Sequence, residues 1–128
     1  MELPTAVVRI KGNTLKVELA YTPAARSCGL SKRTYLSENQ GMLFIYPTLA
    51  RQSYWMKDTH LPLSIAFIDA SNKIINIQKM RPDQTHERYR SLKPFKYAIE
   101  VNQGWFDAHK IEAGDVVEIK IPAVLDIK

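Results

Sequence analysis

The densest group of chemically capable side chains is Trp55-Met56-Lys57-Asp58-Thr59-His60. It gathers an indole, an ammonium, a carboxylate, a hydroxyl and an imidazole in one short stretch. Such groups can hold a polar ligand or move protons. The plainer reading is a Lys57–Asp58 pair beside a turn formed by Asp58 and Thr59. An exposed pair of that kind contributes at most about 1 kcal/mol. Arg26 and Arg33 flank Gly29-Leu30. Each offers a planar fork suited to carboxylate or phosphate. Alternatively they make internal pairs, for example with Glu100 or Asp69, and tie a helix to a sheet. The candidate ligand-binding rim is therefore Arg26, Arg33, Trp55, Lys57, Asp58, Thr59 and Asp69, with a sugar or a small anion as ligand.

Several chemistries find no support. The histidines His60, His86 and His109 have no metal-ligand spacing, so no metal is expected. There is no nucleophile elbow, phosphate-cradling loop or dinucleotide fingerprint, and five glycines are few for a Gly-rich nucleotide loop. No cofactor is expected. Cys28 is the single cysteine, so an internal disulfide is excluded, and beside Gly29 it reads as a small buried apolar residue. Trp105 and Phe106 can stack on a base or a sugar, or plug the end of a β fold. Hydrolysis using Asp58 or Asp69 with Lys57 or His60 is conceivable, but it matches no known catalytic spacing. The balance leans away from an enzyme.

A second candidate surface comes from charge. The net charge is +5, and the stretch from Lys73 to Lys96 carries seven basic residues against Asp83 and Glu87. The whole excess therefore sits in one segment. Arg81, Arg88, Arg90, Lys93 and Lys96 are its candidates for nucleic acid, an anionic lipid surface or an acidic partner. The competing reading is a solvated basic loop with no specific partner.

The elements that must position these residues are mostly strands. Thr5–Ile10 and Thr14–Ala20 alternate around Lys11-Gly12-Asn13 and predict a hairpin, with Gly12 or Asn13 supplying a positive φ. Leu15, Val17 and Leu19 face the core; Lys16 and Glu18 face water. Thr22 and Pro23 open a short helix that ends near Cys28-Gly29. Gly41–Tyr46 is an apolar strand ending at Pro47. Gln52–Lys57 is a second strand, with Trp55 and Lys57 on one face and Tyr54 and Met56 on the other. Leu63–Ile68 and Lys73–Gln78 pair through a turn at Asp69–Asn72. Residues 81–94 form a long loop bracketed by Pro82 and Pro94, and such loops are usually functional or mobile. Tyr97–Val101 and Val116–Ile121 complete seven to nine short strands, with a helical turn or two at Gly104–His109.

The sum is a mainly β, single-domain, antiparallel sandwich, jelly-roll-like or barrel-like fold with one or two short helices, its core spanning residues 5–122 of 128. A monomer is expected. Apolar residues at 45% and charged residues at 24% are ordinary for a globular chain, and no apolar run is long enough to span a membrane.

Ordered blocks along nearly the whole chain resemble the family called domain of unknown function 192. They are Arg26-Ser27-Cys28-Gly29-Leu30 with Arg33, Gly41-Met42-Leu43-Phe44, Trp55-Met56-Lys57-Asp58-Thr59, Leu61 to Asp69, Ala98 to Gly104, and Gly114-Asp115. The resemblance implies a mainly antiparallel β fold of sandwich or jelly-roll type and no established activity. Family members commonly have Asn where Asp58 stands and Asp where Ser64 stands; Cys28 also departs from the usual pattern. Many resemble exported or lipid-anchored proteins. The expected location is therefore the exterior or periplasm if Met1 replaces a removed export signal, and the cytoplasm otherwise.

Overall fold

The computed structural model describes residues 2–128. Met1, on which the expectation about export turned, lies outside the described residues. β1 (Thr5–Ile10) and β2 (Asn13–Ala20) form the predicted hairpin. Its turn places the positive φ on Lys11 and Gly12, at 50° and 78°, rather than on Asn13. Two left-handed central residues match the right-handed twist of the flanking strands. Asn13 instead opens β2, and its amide donates to the carbonyls of Ile10 and Lys11. Leu15, Val17 and Leu19 are fully buried.

Helix α1 (Pro23–Cys28) is capped by Thr22, whose Oγ1 accepts from the Ala25 amide at 3.3 Å. Gly29 ends it with φ of 50°. The chain then returns to β3 (Gln40–Ala50), which does not stop at Pro47 as expected. Its pairing slips between Ile45 and Ala50. That irregularity accommodates a residue with no N–H to give the ladder.

The strand expected at Gln52–Lys57 does not form. Only an isolated bridge joins Tyr54 to Tyr89, through reciprocal backbone hydrogen bonds of 2.9 and 2.8 Å. Alternation selects faces, but a strand needs a neighbour along its length, and this segment has one only at Tyr54. The expected sidedness survives: Met56 is 1% exposed and Trp55 45%.

β4 (Leu63–Ile68), β5 (Ile74–Met80), β6 (Phe95–Asn102), the single turn α2 (Trp105–Ala108) and β7 (Val117–Ile119) follow. The sheet order is β5-β4-β6-β3-β2-β1-β7. All neighbours are antiparallel except β2 and β3, because α1 and the loop after it carry the chain back to the end where β2 began. A bridge from Lys73 to Val116 draws the two ends of the sheet together. The sheet thus curls into a half-barrel, the barrel-like form of the predicted fold.

Two apolar clusters lie on opposite faces of the central strands. One takes residues from all seven strands, among them Val8, Leu15, Leu43, Ile68, Ile74, Ile99 and Val117, and fills the inside of the curl. Trp105 and Phe106 belong to it and are buried, which is the plugging role rather than a stacking one. The other packs Met42, Phe44, Phe67, Phe95 and Ala98 beneath Ala25 of α1, Leu30, Met56 and Tyr89. Being covered on both faces explains why every residue of β4 is buried. The candidate site lies in this second, outer layer.

Candidate functional site

A cavity of about 370 Å³ opens between α1 and the 52–59 segment, above β3 and β6. Arg26, Trp55, Lys57 and Thr59, all predicted, line it. The Arg26 guanidinium donates from Nη1 to the Ile45 carbonyl at 2.8 Å and lies 4.6 Å from the centre of the Tyr46 ring. Neither Arg26 nor Lys57 pairs with a carboxylate among the described residues. The Lys57 ammonium instead stands 5.4 Å from the Trp55 ring, and the Arg88 guanidinium 4.5 Å from it. Thr59 is nearly buried, and its hydroxyl donates to the Lys57 carbonyl, fixing the turn at the end of the segment.

The other predicted residues point elsewhere. Arg33 makes a two-pronged contact with Glu18, at 2.5 and 2.7 Å, not with Glu100 or Asp69. Asp69 builds its own turn, its Oδ1 accepting from the amides of Ser71 and Lys73. Asp58 has φ of 56°, and its carbonyl accepts from the Lys32 amide at 2.7 Å. Asp and Asn are the side chains that best tolerate that left-handed backbone. The Asn-to-Asp difference at position 58 therefore has a backbone rationale, and the side chain is outside the cavity lining.

Among the lining residues that the sequence did not assign to a site, Tyr46, Tyr54, Glu100 and Cys28 carry titratable groups. Cys28 is exposed at the end of α1, with Sγ 3.9 Å from Ser31 Oγ, which overturns its expected burial. A helix end followed by a left-handed glycine turns that side chain outward. The Tyr46 and Tyr54 hydroxyls hydrogen-bond at 2.8 Å, and burial pushes both above the ordinary phenol range. Glu100 sits on β6 between Met42 of β3 and Ile65 of β4. It is 5% exposed, its carboxyl makes no side-chain hydrogen bond among the described residues, and its oxygens are not sealed off but keep some access to the cavity that Glu100 lines. Burial pushes that carboxyl up to about 8. A buried titratable group lining a cleft makes that cleft a candidate functional site. The sequence named Glu100 only as an internal pair for Arg26 or Arg33, a pair absent among the described residues, and nothing local showed that β6 is covered there.

The basic segment is held to the molecule rather than loose. Met56 and Thr59 each exchange a backbone hydrogen bond with it, through Gln84 and Asp83, in addition to the Tyr54–Tyr89 bridge. Residues 81–94 therefore brace the cavity wall. Arg81 pairs with Glu87 at 3.1 Å, and Lys96 donates to the Tyr46 carbonyl. Arg88, Arg90 and Lys93 remain exposed. Among the described residues no three His, Cys, Asp or Glu side chains are grouped to hold a metal, and no helix is long and apolar enough to cross a membrane.

The family model for domain of unknown function 192 (DUF192), described as "Uncharacterized ACR", matches residues 6–119. The chain belongs to this family. The DUF192 match runs from within β1 to the end of β7 and includes the Trp55–Thr59 stretch at the cavity wall. Two solved structures share the fold. One is a Sinorhizobium meliloti 1021 protein described as a "putative transcription regulator", 31% identical, with a TM-score of 0.86 over 92% of this chain and 95% of that one. The other, of unknown function, is from Novosphingobium aromaticivorans DSM 12444, 29% identical, with a TM-score of 0.88 over 91% and 86%. No curated protein matches.

Proposed function

We propose that this DUF192 protein is a non-catalytic binding module for a small polar ligand, a sugar or a small anion, held in the cavity between α1 and the 52–59 segment. The observation that carries the reading is Glu100. Its carboxyl, set in an apolar layer, has no protein hydrogen-bond partner and reaches only the cavity, where water or a ligand must satisfy it. A ligand that satisfies it better than water stabilises the protein. The cavity also combines an exposed indole with polar groups that converge from three elements, the usual composition of a ligand site. The test is thermal shift against a library of sugars and small anions, with Lys57→Ala and Trp55→Ala as controls on exposed positions. The expected result is at least one stabilising compound whose shift both substitutions reduce. A library without a hit, or a hit indifferent to both substitutions, refutes the reading.

A second reading uses Arg88, Arg90 and Lys93 on nucleic acid, anionic lipid or an acidic partner. The exposure of these three cations favours it, as does the description of the Sinorhizobium relative. Reversing their charges should weaken binding to a DNA duplex or an anionic vesicle, and the affinity should fall steeply with salt. Unchanged affinity refutes it.

A further inference from the structure

Resting on the reading of the cavity as a binding site, we propose that its ligand is a small oxyanion, with Arg26 and Lys57 supplying the attraction and the Glu100 carboxyl acting as a hydrogen-bond donor. The charged groups of the lining are these three alone. Both cations lack a carboxylate partner among the described residues. Arg26 spends one N–H on the Ile45 carbonyl and keeps the rest of its fork. Tyr46 and Tyr54 both line the cavity, and their pair uses one hydroxyl proton internally and leaves the other free to donate.

This inventory discriminates between ligand classes. A sugar presents donors and acceptors in similar numbers and carries no charge, so it gains nothing from unpaired cations. The only carboxylate that could accept is Glu100, and burial keeps it protonated at neutral pH. The hydroxyls of Ser27, Ser31 and Ser53 and the Gln52 amide can donate or accept, so the fixed charge of the lining, Arg26 and Lys57, decides for an anion. Glu100 then hydrogen-bonds the anion through its acid proton, and ionisation of Glu100 puts two negative charges side by side. The titratable and charged groups that line the cavity with it are Arg26 and Cys28 from α1, Tyr46 from β3, and Tyr54 and Lys57 from the 52–59 segment.

Acetate and sulfate are suitable probes, because neither changes charge between about pH 6 and about pH 9.5. Calorimetric titration should detect one or both, and glucose and galactose should give no heat. Lys57→Ala, at an exposed position, should weaken the anion at least about fivefold, as should Arg26→Lys, which keeps the charge and loses the fork. Above about pH 8 the affinity should fall toward tenfold per pH unit. Glu100→Gln, a permanent N–H donor, should flatten that profile, while Cys28→Ser should leave the slope in place. Binding of neutral sugars without anions overturns the oxyanion assignment but keeps the cavity as a site. Anion binding that survives both Lys57→Ala and Arg26→Lys undiminished also overturns it. No binding by either class refutes the site itself.

Discussion

The Tyr46 and Tyr54 hydroxyls meet at 2.8 Å, and this contact joins β3 to a segment that has almost no backbone ladder of its own. Tyr54 also packs edge-on against Phe44 and Phe67, with ring centres 5.2 and 5.7 Å away. The aromatic packing and one hydroxyl pair thus do for residues 52–57 what strand pairing does elsewhere. Removing the hydroxyl in Tyr54→Phe keeps the packing and leaves the Tyr46 hydroxyl without its partner. The expected cost is about 1 kcal/mol in chemical denaturation. Hydrogen exchange at the Tyr54 and Met56 amides should also accelerate. A variant with wild-type stability and wild-type exchange would show that the hydroxyl pair does not hold the segment.

Glu100 makes stability depend on pH in a definite direction. Its carboxyl is raised from 4.5 to about 8 in the folded protein. The folded state therefore keeps a proton that the unfolded state loses above 4.5. The stabilisation is fully present below about pH 4.5, declines as pH rises, and is gone above about 8. At pH 7 the loss is on the order of 3 kcal/mol relative to low pH, if other groups are unchanged. Glu100→Gln removes this dependence. The variant should be more stable than wild type at pH 7 to 8 by on the order of 1 to 3 kcal/mol, with the difference shrinking toward pH 5. Urea midpoints measured across that range check it, and parallel pH profiles would refute the assignment to Glu100.

Much of the fold was legible because alternation and apolar runs report local faces. Leu15, Val17 and Leu19 were readable as core in that way, and so were Thr22 and Pro23 as a helix start. Pairing is not local. Gln52–Lys57 has strand composition but no partner along most of its length, and Pro47 interrupts β3 without ending it because the ladder absorbs a slip. The site was half legible for the same reason. Trp55, Lys57 and Thr59 announce themselves as a polar cluster. Glu100 does not: it stood out only as an internal pair for Arg26 or Arg33, and its strand carries no local sign of a cavity above it. Only the covering of β6 on its outer side by α1 and the long loops turns that position inward.

Gly41 is required by the spacing of β3 and β6. A Cβ there would collide with the Glu100 backbone carbonyl and stand 3.0 Å from Val101 Cγ1. The carbonyl belongs to a paired strand and cannot step aside as a flexible side chain would. Gly41→Ala should therefore push the two strands apart at the Gly41–Val101 pair and cost about 2 kcal/mol or more. Because Glu100 supplies the obstructing carbonyl, the same substitution should also weaken any ligand the cavity holds. Thermal denaturation and the acetate titration, measured on one sample, check both effects. An alanine variant of unchanged stability would contradict the close approach.

Arg33 provides the complementary case, a residue of the predicted rim whose role lies outside the cavity. Its guanidinium grips both oxygens of Glu18 and pins the loop after α1 to β2. Both side chains are about one-third exposed, at 36% and 27%, so solvent screens the pair. Arg33→Ala should cost about 1 kcal/mol or less, and less still at high salt. Glu18→Ala should cost about the same, and the double variant should be less destabilised than the two single losses combined. None of the three should change acetate or sulfate affinity by more than about twofold, because the charge removed does not face the ligand. A large loss of affinity in Arg33→Ala with stability intact would instead place Arg33 in the binding site and extend that site across the loop toward β2.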